Sequence, residues 1–97
     1  MHVVSNKYIR DFTKDHPDSL VSLSRWYRRM KKGKFDNRNE MMRKFPGVDY
    51  VGNDRYVFNI GGNKYRLIAM MNFNGHRAYI RFIGTHSNYN KTDCKNI

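Results

Sequence analysis

Arg66, Arg81, His86 and Tyr89, with Lys64 close by, are the residues of this chain whose side chains could do chemistry together. Two β-rich runs carry the arginines, and His86 and Tyr89 follow in Thr85-His86-Ser87-Asn88-Tyr89. The set suits cleavage of an RNA phosphodiester by its own 2′-hydroxyl. That reaction needs the hydroxyl deprotonated, the extra charge on phosphorus stabilised and the departing 5′-oxygen protonated. Arginine meets the middle requirement best, because its planar fork grips two phosphate oxygens and stays charged. Preorganised cations of this kind usually supply the largest catalytic contribution. Histidine, with an ordinary pKa of ~6.5, exchanges protons at working pH. Tyrosine can stack on an unpaired base or donate its phenolic hydrogen. Asn59 and Lys91 are outer members of the group.

Each residue also has an ordinary role open to it. The arginines could be solvated strand residues, Lys64 a turn lysine, His86 a cap, and Tyr89 packing for the tail. His2, His16 and His76 read as structural or solvated. What favours chemistry is the predicted register of the strands that carry the arginines.

Arg55 to Tyr89 reads as a three-stranded antiparallel meander. Asn74-Gly75 between Leu67–Phe73 and His76–Phe82 predicts a two-residue type I′ turn, which needs positive φ at both central residues. Met71 then faces Ala78, Ala69 faces Ile80 and Leu67 faces Phe82 on an apolar side. Arg66, Ile68, Met70, Arg77, Tyr79, Arg81 and Ile83 fall on the other side by strand alternation. Gly61-Gly62 predicts a second hairpin, with Phe58 opposite Tyr65, Tyr56 opposite Leu67, Asn59 opposite Lys64 and Val57 opposite Arg66. A one-residue slip would bury the cations at high cost. Arg66 and Arg81 should lie diagonally across neighbouring strands, roughly 7–8 Å apart at the backbone.

Upstream, His2-Val3-Val4 forms a short strand. Ser5 is the expected N-cap of a helix to about Asp15, with Val4 and Ile9 as a hydrophobic staple and Tyr8, Ile9 and Phe12 as its apolar stripe. Pro17 and Asp18 start a second helix that runs to about Lys32. It buries Leu20, Leu23, Trp26, Tyr27 and Met30 and ends at Gly33. Asn39–Phe45 suggests a helical turn or two before Pro46-Gly47, and Val48–Asp54 leads into the sheet. Beyond His86 the tail is polar, Tyr89-Asn90-Lys91 makes a final turn, and the last residues fray. The order is β-α-α-β-β-β: an α+β fold with two helices on one face of a small, mainly antiparallel sheet.

The chain has 97 residues, read as a single domain spanning 1–97. Its 19 basic and 8 acidic residues give a net charge of +11, which points to nucleic acid or an acidic protein as partner. Six of the cations (Arg25, Arg28, Arg29, Lys31, Lys32 and Lys34) crowd into one stretch, although cations at a helix C-terminus also complement its dipole. No apolar run approaches the ~20 residues of a membrane span, and the start lacks a secretory pattern. A single cysteine, Cys94, excludes an internal disulfide and suits a reducing cytoplasm. Neither zinc-ligand spacing nor a phosphate-binding glycine loop is present, so no cofactor or metal is expected.

Two blocks, Arg55-Tyr56-Val57-Phe58-Asn59-Ile60-Gly61-Gly62-Asn63-Lys64-Tyr65-Arg66-Leu67 and Tyr79-Ile80-Arg81-Phe82-Ile83-Gly84-Thr85-His86-x-x-Tyr89, resemble the HigB-type toxins of the RelE/ParE superfamily. The likeness extends over about the whole chain, including the element order of a RelE-like fold. It implies a ribosome-dependent mRNA interferase that enters the A site and cuts the message with basic and aromatic side chains rather than a metal. By this likeness Arg66 and Arg81 hold the scissile phosphate, His86 or Tyr89 handles protons or stacks a base, and Lys64 adds charge. A HigA-type helix-turn-helix antitoxin is the implied partner. The tip reads Tyr89-Asn90-Lys91, where an acidic residue often follows the tyrosine.

The expectation is therefore a cytoplasmic endoribonuclease toxin held silent by an antitoxin, with the Arg25–Lys34 cluster anchoring ribosomal RNA in a salt-sensitive way. Two rivals are a non-catalytic RNA- or ribosome-binding module and a ParE-like toxin acting on a protein such as gyrase.

Overall fold

Side-chain alternation builds the sheet of this protein, whose computed structural model describes residues 1–97. Five strands, β1 (His2–Val4), β2 (Asp49–Gly52), β3 (Arg55–Ile60), β4 (Tyr65–Asn72) and β5 (Arg77–Thr85), stand in the order β1-β5-β4-β3-β2. Neighbours are antiparallel except for β1, which runs parallel to β5. Four helices complete the fold: α1 (Lys7–Asp15), α2 (Leu20–Lys32), α3 (Arg38–Lys44) and α4 (His86–Asn90). The α+β class and mainly antiparallel sheet are as expected, α3 lies at the helical turn or two expected over Asn39–Phe45, and β2 forms in the stretch expected to lead into the sheet.

Tyr56, Phe58, Ile60, Tyr65, Leu67, Ala69, Met71, Ala78, Ile80 and Ile83 bury one face of the sheet. Against it pack Ile9 of α1, Leu23, Trp26 and Met30 of α2, and Met41 of α3. A fully buried side chain of this kind contributes about 1.5–3 kcal/mol. Trp26 meets Phe58 edge to face at 5.4 Å between ring centres, and Phe45 meets Phe58 at 5.2 Å. Two expected core members are outside it: Tyr8 is 39% exposed and Leu20 52%. Both sit at helix starts, where the helix has not yet closed on the sheet.

The turns differ from the sequence expectation. Asn74-Gly75 is not a type I′ turn, because neither residue has positive φ. Phe73 to His76 form a four-residue loop closed by His76 N–H donating to the Phe73 carbonyl at 3.2 Å, with the left-handed residue at His76 (φ 53°). The two-positive-φ turn is instead Asn53-Asp54 (φ 50° and 61°), which joins β2 to β3. Gly61 and Gly62 do have positive φ, but their loop extends through Lys64. Phe58 therefore pairs with Leu67 and Asn59 with Arg66, a two-residue shift from the expected register. A shift of two preserves every side chain's face.

The β4–β5 register holds from Asn72↔Arg77 to Ala69↔Ile80, then breaks: Ile68 pairs with Phe82, and Arg81 is the extra residue of a β-bulge. The bulge exchanges the two residues that follow. Ile83, expected on the polar face, is buried against the helices. Phe82, expected inside opposite Leu67, turns outward. Asn6, not Ser5, precedes α1 as its cap, and Ser5 has φ 71°. Pro17–Ser19 forms a 3-10 turn ahead of α2, and Gly33 ends α2 in an extended conformation.

Candidate active site

The sheet face turned away from the helices carries the candidate residues. Arg66 alternates with buried Tyr65 and Leu67, and Arg81 follows buried Ile80, so both arginines point to this open face. The bulge changes their spacing: Arg66 pairs with Gly84, and Arg81 lies three residues before it rather than on the expected diagonal. Phe82 lies between them. Asn59 stands directly across β3 from Arg66, joining it rather than Lys64.

Helix α4 brings the other two side chains. Thr85, its N-cap, accepts a hydrogen bond at Oγ1 from the Asn88 N–H at 3.1 Å, a local cap that needs only the Thr-x-x-Asn spacing. The His86 N–H donates to the Lys64 carbonyl at 3.3 Å, tying the start of α4 to the edge of β4. Tyr89, one turn on, sets its ring 5.9 Å from the Arg66 guanidinium carbon, within cation–π range. Arg66 also donates to the Tyr65 carbonyl at 3.3 Å. Arg81 is exposed and makes no hydrogen bond or ion pair, so its full fork is available.

His86 is exposed, its ring centre 6.5 Å from that of Tyr89. Its Nδ1 meets the Asn90 side-chain amide at 3.2 Å, leaving Nε2 free for a substrate. Burial pushes the Tyr89 phenol above its ordinary value, aided by Cys94 and Asp49 and opposed by Arg66. A phenol so raised keeps its proton at neutral pH. In that state it can stack on a base or donate a hydrogen bond.

Lys64 is not brought to this group. Its ammonium binds the Asp18 carboxylate at 2.8 Å, the only ion pair in the chain. Tyr65, a core residue, donates its hydroxyl to the same carboxylate at 2.7 Å, which puts the cluster on the helix side of the sheet.

Of the α2 cations, Arg25, Arg28, Lys31 and Lys32 are exposed on the helix layer rather than the open face, as is Lys34 beyond it. Arg29 is committed structurally: it donates to the Lys44 carbonyl and lies 5.1 Å from the Phe45 ring centre. Arg25 and Arg29 line one side of a cleft of about 240 Å³ whose other side includes Asn59 and Gly61-Gly62. A basic rim thus reaches round to the end of the sheet that carries Arg66. Lys91 is exposed just past α4. His16 stacks on Phe12 at 4.2 Å, a packing role.

The tail, expected to fray, makes hydrogen bonds to the β2–β3 end of the sheet. Asn53 donates to the Lys95 carbonyl at 3.1 Å, and Arg55 donates through Nε and Nη2 to the Ile97 carbonyl at 3.0 and 2.7 Å. From Tyr89 to these contacts the chain returns on the β2–β3 side of the open face, where Val57 and Ile68 are buried, while Arg81 stays exposed. No three His, Cys, Asp or Glu side chains gather as metal ligands, and no helix is long and apolar enough to cross a membrane.

Sequence reasoning missed Phe82, assigned to the core, and Asn90, noted only as a departure. The doublet Phe82-Ile83 breaks the β5 alternation, and that was the available signal for the bulge.

The family model for the HigB toxin, described as a RelE-like toxic component of a toxin-antitoxin system, matches residues 20–92. The chain is 32% identical over 93 residues to the mRNA interferase HigB of Escherichia coli O6:H1, covering 94% of this chain and 90% of that protein. It is 33% identical over 92 residues to the mRNA interferase toxin HigB of Escherichia coli K12 and to the mRNA interferase HigB of Shigella flexneri. Each of these matches covers 92% of this chain and 88% of the relative.

Proposed function

The chain belongs to the HigB family of RelE-like toxins, and from that premise we propose that it is an mRNA interferase which cuts messages in the ribosomal A site. As the toxic component of a toxin-antitoxin system it has an antitoxin partner; a HigA-type helix-turn-helix protein is the expected kind. The observation that carries the proposal is the open sheet face, where Arg66 and Arg81 stand on one side with His86 and Tyr89 at its edge.

Arg66 and the unpaired Arg81 hold the non-bridging oxygens of the scissile phosphate and stabilise the charge that grows there. The 2′-oxygen forms its bond to phosphorus as the bond to the 5′-oxygen breaks, leaving a 2′,3′-cyclic phosphate and a 5′-hydroxyl. His86, through the free Nε2, is the group placed to move a proton in this exchange. Tyr89 keeps its proton and holds a base or donates a hydrogen bond, and Asn59 contacts the backbone beside Arg66. Lys64, tied to Asp18, contributes field rather than contact. Arg25, Arg28, Lys31, Lys32 and Lys34, with Lys91 at the other edge, attract ribosomal RNA, and Arg29 supports α2 while adding charge to that surface. The reading places the protein in the cytoplasm, where ribosomes are.

Expression of the parent, Arg81→Ala and His86→Ala, with mapping of message ends on ribosomes, tests this. The expected result is growth arrest and new message ends with the parent alone. Equal arrest and cutting by all three would remove the site. Arrest with intact message would make the protein a blocker rather than a nuclease.

A further inference from the structure

Phe82 is an aromatic ring without an aromatic partner on a face otherwise suited to RNA. The bulge at Arg81 turns it out of the helix-packed core, where uninterrupted alternation would have put it. It is half-buried and outside the core cluster, and it makes no ring–ring or cation–π contact within the protein. Its position is fixed from below by Gly84. A Cβ built on Gly84 would lie 2.4 Å from the Phe82 Cζ and 3.1 Å from both Cε atoms, so the ring lies over a residue that has no side chain to hold it off. Gly84 is the strand partner of Arg66. The ring therefore lies over the strand partner of Arg66, on the side toward Arg81, and Tyr89 is the ring in cation–π range of that arginine.

We infer that Phe82 is a stacking platform for one unpaired nucleobase of the message, next to the phosphate held by Arg66 and Arg81. The inference rests on the proposed function and adds a specificity-determining contact to it. An aromatic face recognises any base by its π surface, and its loss is felt most by purines, which overlap it most. Both the bulge and the glycine serve the same placement: one turns the ring outward, and the other lets it lie down against the sheet. An ordinary solvent-facing strand residue needs neither.

Purified parent, Phe82→Leu, Phe82→Trp, Gly84→Ala and Arg81→Ala proteins, each with its thermal unfolding recorded, should be compared in cleavage of message on programmed ribosomes. A second readout is quenching of 2-aminopurine placed in the A-site codon. Phe82→Leu keeps apolar bulk without a π face, and a stacking contact of this kind is worth roughly 5- to 100-fold in kcat/KM. The loss should fall mainly on KM, because stacking holds ground and transition states alike. Phe82→Trp should recover most of the Phe82→Leu loss, which a merely structural role would not predict. Gly84→Ala should behave like Phe82→Leu by displacing the ring, and quenching should fall in both.

Phe82→Leu cutting and quenching like the parent, while Arg81→Ala loses activity, would overturn the platform and leave the proposed function standing. If Arg81→Ala itself cut like the parent, the proposed function and the platform would fall together. Should Phe82→Leu unfold, Gly84→Ala and Phe82→Trp decide the matter by the same two readouts.

Discussion

The Tyr89 ring stands 5.9 Å from the guanidinium carbon of Arg66, so helix α4 and strand β4 meet at one cation. Tyr89 holds its proton because burial raises its pKa above the ordinary value, with Cys94 and Asp49 adding to the rise. Tyr89→Phe keeps the ring and loses one neutral hydrogen bond, so kcat/KM should fall only about 2- to 10-fold. Tyr89→Ala loses the face as well and should fall further. The raised phenol does not ionise near neutrality, so the pH profile of Tyr89→Phe between about pH 6 and 9 should match the parent's in shape.

Asn90 touches His86 Nδ1 where a carboxylate would stabilise the imidazolium. Asn90→Asp should therefore move the histidine-dependent limb of the pH–rate profile upward relative to the parent. NMR titration of the His86 ring checks the same shift without turnover. An unmoved titration would mean that the Asn90 contact is not kept in solution.

Asp18 joins Lys64 and Tyr65, and these hydrogen bonds lower the Asp18 pKa, with that of Lys64 chiefly first. The same bond raises Lys64. A depressed carboxylate adds stability that is full above its ordinary value of 3.8 and fades as pH drops through the lowered one. A raised amine adds stability that is full below its ordinary value of 10.5 and fades as pH climbs through the higher one. The Tm difference between the parent and Asp18→Asn should accordingly be flat through neutrality and shrink at both extremes. Lys64→Ala should slow cleavage far less than Arg81→Ala.

Leu23 is fully buried between α2 and the sheet. Leu23→Ala should destabilise by about 2–5 kcal/mol. In a domain of this size each kcal/mol shifts Tm by roughly 4–8 °C. Growth arrest should weaken through loss of folded protein, while message ends stay at the same positions; changed ends would implicate α2 in choosing the cut.

The strand faces were legible because alternation survives any even register shift, and the Gly61 loop produced a shift of two. A bulge is an odd shift, so Phe82 and Ile83 exchanged faces while Ala69↔Ile80 and everything toward the loop stayed true. Spacing alone could not say which of Ile80, Phe82 and Ile83 the core would admit; fitting Ile80 and Ile83 beneath the helices decided it. The partner of Lys64 was illegible for another reason, since Asp18 is 46 residues away in sequence. Tail contacts at Asn53 and Arg55 use backbone carbonyls, which leave no mark in residue type.

Single-turnover cleavage by Arg66→Ala and Arg81→Ala, on programmed ribosomes and on the same message free in solution, tests the central claim most directly. Each substitution should slow the ribosomal reaction by about 10²–10³-fold at unchanged Tm, with free message cut far more slowly by the parent. Parent-like rates from both variants, or equal cutting of free and ribosome-bound message by the parent, would contradict the account.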